Sequence, residues 1–111
     1  KLTVDGKVTI VGNDAGTVNG VTYERGLYNG ILTQKCPVEI KGDVSIDNTL
    51  NQGIYLNGGT LNAKYVVVKN TAKTSIYMEN SSELDVVDVT IENSQSQGLQ
   101  VQKKGTLFIF P

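Results

Sequence analysis

The chain has 111 residues, of which 39% are hydrophobic and 19% charged, so it can build the core of one domain. Its net charge of -1 and its lack of a basic run make nucleic acid and anionic membrane surfaces poor partners. No apolar run approaches the ~20 residues of a membrane-spanning helix, which predicts no membrane insertion. The sequence has no histidine, which excludes histidine-based catalysis and histidine-bound zinc within this chain. Its single cysteine excludes an intrachain disulfide.

Alternating apolar and polar residues, rich in Val, Ile and Thr and separated by Asn and Gly, predict short strands along the whole chain. The first two strand segments are predicted within 1–4 and 8–12, and the pattern resumes at Ile31 after a long interruption. From there the chain repeats itself, because the segment 60–70 recurs 23 residues later as 83–93. A fixed period of this length is typical of a solenoid, in which each repeat forms one coil.

Each repeat contains three short strands, and residues of similar shape occupy equivalent positions in them. The predicted inward-facing residues form three columns, namely Leu2, Val38, Leu61, Leu84 and Leu107; Val8, Val44, Val66 and Val89; and Ile31, Ile54, Ile76 and Leu99. A shift of one residue would turn each apolar column to solvent, so the sequence strongly determines the register. A β-sandwich of short antiparallel strands is the competing interpretation. It does not explain why the same offset recurs at all three strand positions.

One corner of the repeat carries an asparagine directly after the second strand, at Asn48, Asn70 and Asn93. Asparagine tolerates the left-handed backbone of a tight corner, and stacked amides can hydrogen-bond along the axis, so we predict an asparagine ladder. Gly12 takes this place in the first repeat and is predicted to meet the same backbone requirement.

The motif Val-Thr-Ile-Glu-Asn at 89–93, followed by Gly-Leu-Gln-Val at 98–101, resembles the repeats of the pectate-lyase-like superfamily. Asn48 followed by Gly-Ile-Tyr-Leu at 53–56 resembles them too. The resemblance covers nearly the whole chain and concerns the fold rather than one activity. It implies a right-handed parallel β-helix over 1–111, with about four to five coils. Neither end carries a cap, which favours a fragment of a longer solenoid and would allow head-to-tail self-association.

Residues 13–30 interrupt the first repeat, whereas other repeats cross the same gap in a few residues. We expect an inserted loop, and Asn19-Gly20 between two Val/Thr pairs predicts a small hairpin within it. Loops of this kind often carry the specificity of a solenoid, and a surface loop without a role is the alternative.

Tyrosines are predicted to gather on the outer face of the third strand. Tyr55 and Tyr77 occupy equivalent positions in neighbouring repeats, with the polar Asn57 and Glu79 two residues further on. The insertion leads into this strand and adds three more candidate ligand-binding residues, Tyr23, Arg25 and Tyr28. A flat row of aromatic rings edged by polar groups suits a sugar chain. The alternatives are ordinary strand-forming tyrosines and a protein-binding surface.

Two acids of the first strand, Glu39 and Asp85, are the candidates for catalysis. They are expected two coils apart, about 9.6 Å at a strand spacing of ~4.8 Å. That separation lies at the upper limit of an inverting glycosidase pair, about 6.5–9.5 Å. Asp85 and Asp88 are also candidates for a calcium site, although two acids fall short of a calcium-binding motif. Neither the clustered aspartates of a lyase nor the histidine of a polygalacturonase accompanies them, so the chain is not expected to be an enzyme.

The resulting expectation is a non-catalytic module of a secreted or surface-displayed bacterial protein that binds polysaccharide or serves as an adhesin. Two alternatives remain open. The module is a structural spacer of a surface protein, or it is part of a polysaccharide lyase or glycoside hydrolase whose active site lies partly outside this chain.

Overall fold

The structure, a computed structural model, describes residues 1–109 except for the side chain of Tyr23. Within this range every regular element is a β-strand. In chain order the strands are β1 (Leu2–Val4), β2 (Val8–Val11), β3 (Gly16–Val18), β4 (Val21–Tyr23), β5 (Ile31–Gln34), β6 (Pro37–Ile40), β7 (Val44–Thr49), β8 (Ile54–Asn57), β9 (Thr60–Asn62), β10 (Tyr65–Thr71), β11 (Ile76–Glu79), β12 (Glu83–Val86), β13 (Asp88–Ser94), β14 (Leu99–Val101) and β15 (Thr106–Ile109).

All but two of these strands stack into three parallel sheets. The strand orders are β1-β6-β9-β12-β15 in the first sheet, β2-β7-β10-β13 in the second and β5-β8-β11-β14 in the third. Every described pairing in these sheets is parallel, which confirms the β-helix and excludes the β-sandwich. Together the three sheets form a solenoid of about three turns. The prediction of four to five coils is slightly too high.

The predicted inward columns form the core. Val66 pairs with Val44 on one side and Val89 on the other, and Ile76 pairs with Ile54 in the same way. Of these residues, Val44, Ile54 and Ile76 are completely buried. Burial of each such side chain contributes about 1.5–3 kcal/mol, which opposes any slip of the strand register.

The inward positions of the outermost strands are more exposed than predicted. Leu2, Leu99, Val101 and Ile109 are between 39% and 55% exposed. Each lies in a strand that has a stacked neighbour on one side only among the described residues, so one side of its side chain has no covering coil. These four side chains face inward as predicted, but the lack of a covering coil leaves them partly exposed.

The insertion forms the hairpin that the sequence predicts. Strands β3 and β4 are antiparallel, and Asn19 and Gly20 both have positive φ, 51° and 79°, as a type I′ turn requires. The offset between paired residues is 36 at Val11–Asp47 and 23 at Ile31–Ile54, so the insertion comprises thirteen residues. Residues 27–30 already belong to the repeat, since the amide of Leu50 donates to the Leu27 carbonyl at 2.8 Å.

Gly12 meets a different requirement from the one predicted. Its φ lies outside the left-handed region. A Cβ at this position would lie 2.1 Å from the Asn48 carbonyl oxygen and 2.7 Å from Cβ of Leu27. Glycine therefore permits the close approach of the Asn48 backbone and the Leu27 side chain, and does not serve a left-handed corner.

Candidate functional site

The tyrosine face is the outer surface of the third sheet around Tyr55 and Tyr77. These two residues are direct partners in the parallel pairing of β8 and β11, as the repeat predicts. Their ring centroids are 5.2 Å apart and their planes make an angle of 67°. The rings therefore meet edge to face, which is a favourable geometry for two aromatic groups. The prediction of a flat row of rings is therefore wrong, because the two tilted rings form a stepped surface.

Hydrogen bonds hold both rings in place. The Tyr55 hydroxyl donates to the Glu79 carboxylate, and Lys103 Nζ lies 3.3 Å from the other carboxylate oxygen. The Tyr77 hydroxyl donates to Oε1 of Gln102 at 3.0 Å. Both phenols are thus oriented by partners on the neighbouring strand or the turn after it, and both tyrosines are half-buried.

The contact between Tyr55 and Glu79 changes the acidity of both groups. The hydrogen bond to Glu79, together with burial and the negative charge of that carboxylate, raises the pKa of Tyr55 to about 12. The same hydrogen bond, with help from Lys103, lowers the pKa of Glu79 despite the opposing effect of burial. Glu79 is only 8% exposed. It was predicted as a ligand-binding residue, but here its main contact is with Tyr55, which it positions.

Polar groups lie beside the rings. The Asn57 Oδ1 accepts a hydrogen bond from Asn80 Nδ2 at 2.6 Å, and the Asn57 side chain is half-buried. Gln100 pairs in register with Tyr77 on the next strand. The tyrosine face thus combines aromatic carbon with amide donors and acceptors, which are the two kinds of group that a sugar chain contacts.

The insertion does not bring all of its predicted residues to this face. Tyr28 is 61% exposed, and its carbonyl accepts a hydrogen bond from the amide of Asn51 in the loop before β8. The side chain of Tyr23 lies outside the described part of the chain. Arg25 is at the corner of the solenoid, where its Nη1 donates to the carbonyls of Thr49 and Asn70 at 2.9 and 3.0 Å.

The predicted asparagine ladder is confirmed in its backbone conformation, but only part of its hydrogen bonding is as predicted. Asn48, Asn70 and Asn93 all have positive φ, between 55° and 69°. Asn93 Nδ2 donates to Oδ1 of Asn70 at 2.7 Å, which is the amide-to-amide bond predicted. The next bond departs from the prediction, because Asn70 Nδ2 donates to Oδ1 of Asp47 instead of to Asn48.

Asn48 turns toward the insertion. Its Nδ2 donates to the Gly12 carbonyl at 2.9 Å and to Oδ1 of Asp14 at 2.8 Å. Together with the insertion, the corner forms a cavity of about 440 Å³ that opens to solvent. We call it the corner cavity, and its polar lining consists of Asp14, Arg25, Asp47, Asn48, Asn70 and Asn93.

The candidate catalytic acids lie on the first sheet. Glu39 and Asp85 both pair with Asn62, from opposite sides, so they are two strands apart as predicted. The Glu39 carboxylate lies 3.5 Å from Lys1 Nζ on an exposed surface. Asp88, the other calcium candidate, accepts a hydrogen bond from the amide of Val89. Among residues 1–109, no group of three or more acidic, Cys or His side chains is arranged to hold a metal ion.

One feature of this corner was not predicted from the sequence. A column of hydroxyl groups, Thr49, Thr71 and Ser94, follows the asparagines and is linked by a contact of 3.3 Å between Thr71 and Ser94. Its signal was available, because a Thr or Ser follows the asparagine at the same offset in each repeat. Cys36, the single cysteine of the chain, is a free thiol and is half-buried.

Comparison with known proteins yields no family, no curated protein sequence and no solved structure that matches this chain. In the part of the chain that the structure describes, no helix has the length and apolar character needed to span a membrane.

Proposed function

We propose that this chain is a non-catalytic glycan-binding module of a secreted or surface-displayed protein. The observation that carries the proposal is the pair Tyr55 and Tyr77, with centroids 5.2 Å apart and fixed by hydrogen bonds on one outer sheet. Fixed aromatic rings lose little conformational entropy when a ligand binds. The C–H face of a sugar ring covers aromatic carbon, while its hydroxyl groups exchange hydrogen bonds with neighbouring amides.

The geometry of the sheet supports a chain-like ligand. Parallel strands lie about 4.8 Å apart, so equivalent residues repeat along the solenoid axis. Leu32, Tyr55, Tyr77 and Gln100 follow one another in register across four strands. An extended oligosaccharide laid across the strands would contact several of them at once. The resemblance of the repeats to the pectate-lyase-like superfamily favours polysaccharides as the first ligands to test, and a role as an adhesin agrees with the same surface.

The direct test is affinity measurement with xylan oligosaccharides, polygalacturonate fragments and mammalian glycans, using the wild type and Tyr77→Ala. Tyr77 is the better variant because its hydroxyl contacts an exposed glutamine, whereas loss of Tyr55 would also remove one of the two partners of the nearly buried Glu79. We expect Tyr77→Ala to weaken binding about tenfold, which corresponds to about 1.4 kcal/mol. Tyr77→Phe should retain most of the affinity, because it keeps the ring.

Tyr65→Ala is the matched control. Tyr65 lies on the second sheet and is 49% exposed, so its loss removes the same amount of side chain from a different face. It should leave affinity unchanged. Equal weakening by both variants, or none by Tyr77→Ala, would show that the tyrosine face is not the binding surface.

A structural spacer is the second candidate, and the continuous register favours it. Strand β10 pairs with both of its neighbours over nearly its whole length, which suits a stiff rod. This function predicts that no glycan in the panel binds wild-type protein. It also predicts that deletion of one 23-residue repeat shortens the protein without loss of folding.

A further inference from the structure

The corner cavity has the features of a second ligand site, separate from the tyrosine face. The ends of the second-sheet strands form its floor, and the insertion forms one wall. Its volume of about 440 Å³ lies within the range of about 300–1,000 Å³ that small-molecule sites occupy. Its lining residues Val11, Asn48, Asn70 and Asn93 lie on four successive strands, so the cavity extends along this corner of the solenoid beside the insertion.

The insertion wall is firmly attached. Arg25 donates to two backbone carbonyls one turn apart, at Thr49 and Asn70. Asp14 accepts a hydrogen bond from Asn48, and the amides of Leu50 and Asn51 bond to the carbonyls after the insertion. A wall with contacts at three separate places does not have to be ordered when a ligand binds, which reduces the entropic cost of binding.

The lining groups retain unused hydrogen-bonding capacity. The two bonds of Arg25 use both N–H groups of Nη1, which leaves three of the five guanidinium N–H groups. Asp14 and Asp47 each accept one amide bond through Oδ1, and their second carboxylate oxygens can accept more. Asn48 uses both N–H groups of its amide, so its carbonyl oxygen remains as an acceptor.

The charges in the cavity select among ligands. Two carboxylates and one guanidinium lie around the same space. A simple anion is therefore repelled by Asp14 and Asp47, and a simple cation is repelled by Arg25. A neutral ligand with several hydroxyl groups is repelled by neither. Its O–H groups donate to the carboxylates, and its oxygens accept from the guanidinium. Val11, which is 66% exposed at the edge of the cavity, offers an apolar surface for C–H groups.

We infer that the corner cavity binds a single neutral, polyhydroxylated sugar unit. The inference does not require that the tyrosine face bind a polysaccharide, because the two sites share no residue. A protein with both sites would contact a glycan along its chain at one place and a single sugar residue at another.

Nuclear magnetic resonance titration of the full chain with methyl glycosides of glucose, galactose and mannose tests this inference. At least one neutral glycoside should shift the amide signals of Gly12 and Asn48. Asp14→Ala should raise its dissociation constant about tenfold, because one charge-assisted hydrogen bond is lost. Asp47→Asn provides a second variant that keeps the side-chain shape. Glu24→Ala is the control, because it removes an equal charge from the same insertion outside the cavity lining.

Galacturonate and calcium chloride serve as the opposing probes. A stronger response to either of them than to the neutral glycosides would overturn the inference, as would binding that neither Asp14→Ala nor Asp47→Asn weakens. Lack of any shift at the corner with all three glycosides would also overturn it. Tyr77→Ala should leave glycoside binding at the corner unchanged. Different variants and different ligands thus test the tyrosine-face proposal and this inference, so either can fail without the other.

Discussion

At the scale of single residues, the contact between Tyr55 and Glu79 best illustrates what alternation along a strand cannot predict. Both residues were expected to face outward, and they do lie on the outer face of neighbouring strands. Outward orientation nevertheless leaves Glu79 only 8% exposed, since the Tyr55 ring and Lys103 cover it. Long side chains of adjacent coils shield one another, so outward parity is not the same as accessibility to a ligand.

The raised pKa of Tyr55 leads to a measurable prediction. An ultraviolet absorbance titration of the wild type should contain a tyrosine component with a pKa of about 12. This component should disappear in Tyr55→Phe and remain in Tyr65→Phe. In Glu79→Gln it should move to a lower pH, because the charged acceptor is gone. A component at about 12 that survives Tyr55→Phe would contradict the assignment.

The same contact makes folding stability depend on pH in two ranges. The folded state favours the neutral phenol of Tyr55, so its contribution is complete below the ordinary tyrosine pKa of about 10. That contribution is lost as the pH rises toward about 12. The lowered pKa of Glu79 has the opposite sign. Its contribution is present above the ordinary carboxyl pKa and is lost as the pH falls. Urea unfolding of wild type and Tyr55→Phe should therefore differ most between these two ranges.

At the scale of elements, the asparagine corner combines a predictable backbone with a less predictable network. The recurrence of asparagine after each second strand correctly predicts positive φ at Asn48, Asn70 and Asn93. It does not predict that Asp47 replaces Asn48 as the partner of Asn70. Nor does it predict that the Asn48 amide donates to Asp14 of the insertion. A local motif specifies its own backbone, whereas side-chain partners depend on residues far away in sequence.

Substitution of Asn70 separates the contribution of the left-handed backbone from that of the side-chain hydrogen bonds. Asn70→Ala should lower the free energy of unfolding by about 2–3 kcal/mol, because a Cβ-bearing residue without a side-chain amide is strained at a φ of 55° and both hydrogen bonds are lost. Asn70→Gly removes the strain and should cost only about 1 kcal/mol. Urea unfolding measures both. Equal losses in the two variants would show that backbone strain makes no contribution at this corner.

The insertion also has one feature that neighbouring residues determine and one that depends on residues far away in the sequence. Asn19-Gly20 predicted the hairpin correctly, since the turn is specified by its own residues. The docking of Arg25 was missed because its partners are backbone carbonyls 24 and 45 residues away, which leave no mark in the sequence. Arg25 was therefore assigned to the tyrosine face, next to the strand that it precedes.

Hydrogen exchange tests this docking role of Arg25. Arg25→Met keeps much of the length of the side chain but removes its donors. We expect the amides of Leu50 and Asn51, which bond to Leu27 and Tyr28, to exchange about tenfold faster in this variant. The amide of Val66 in the core of the second sheet should be unaffected. Lys41→Met, at an exposed site outside the corner, is the control. Unchanged exchange at Leu50 and Asn51 would mean that the insertion docks without Arg25.

At the scale of the whole molecule, the period of 23 residues was sufficient to predict the parallel sheets and their register. It works because every coil must bury its apolar residues against the coils on either side, so a shifted register would expose entire columns. The register also placed Tyr55 beside Tyr77 and Glu39 two strands from Asp85. The corner cavity was missed because it depends on how the insertion folds back, and the repeat contains no information about a segment that occurs once.

Both proposed sites depend on parallel stacking of equivalent residues, and nuclear Overhauser effects between neighbouring strands test that arrangement most directly. With ring centroids 5.2 Å apart, the aromatic protons of Tyr55 and Tyr77 should give cross-peaks with each other. Backbone contacts of Val66 should connect it to Val44 and Val89 in the pattern of parallel strands. Strong Hα–Hα contacts between these strands, which antiparallel pairing produces, or no contact between the two tyrosine rings, would contradict the account.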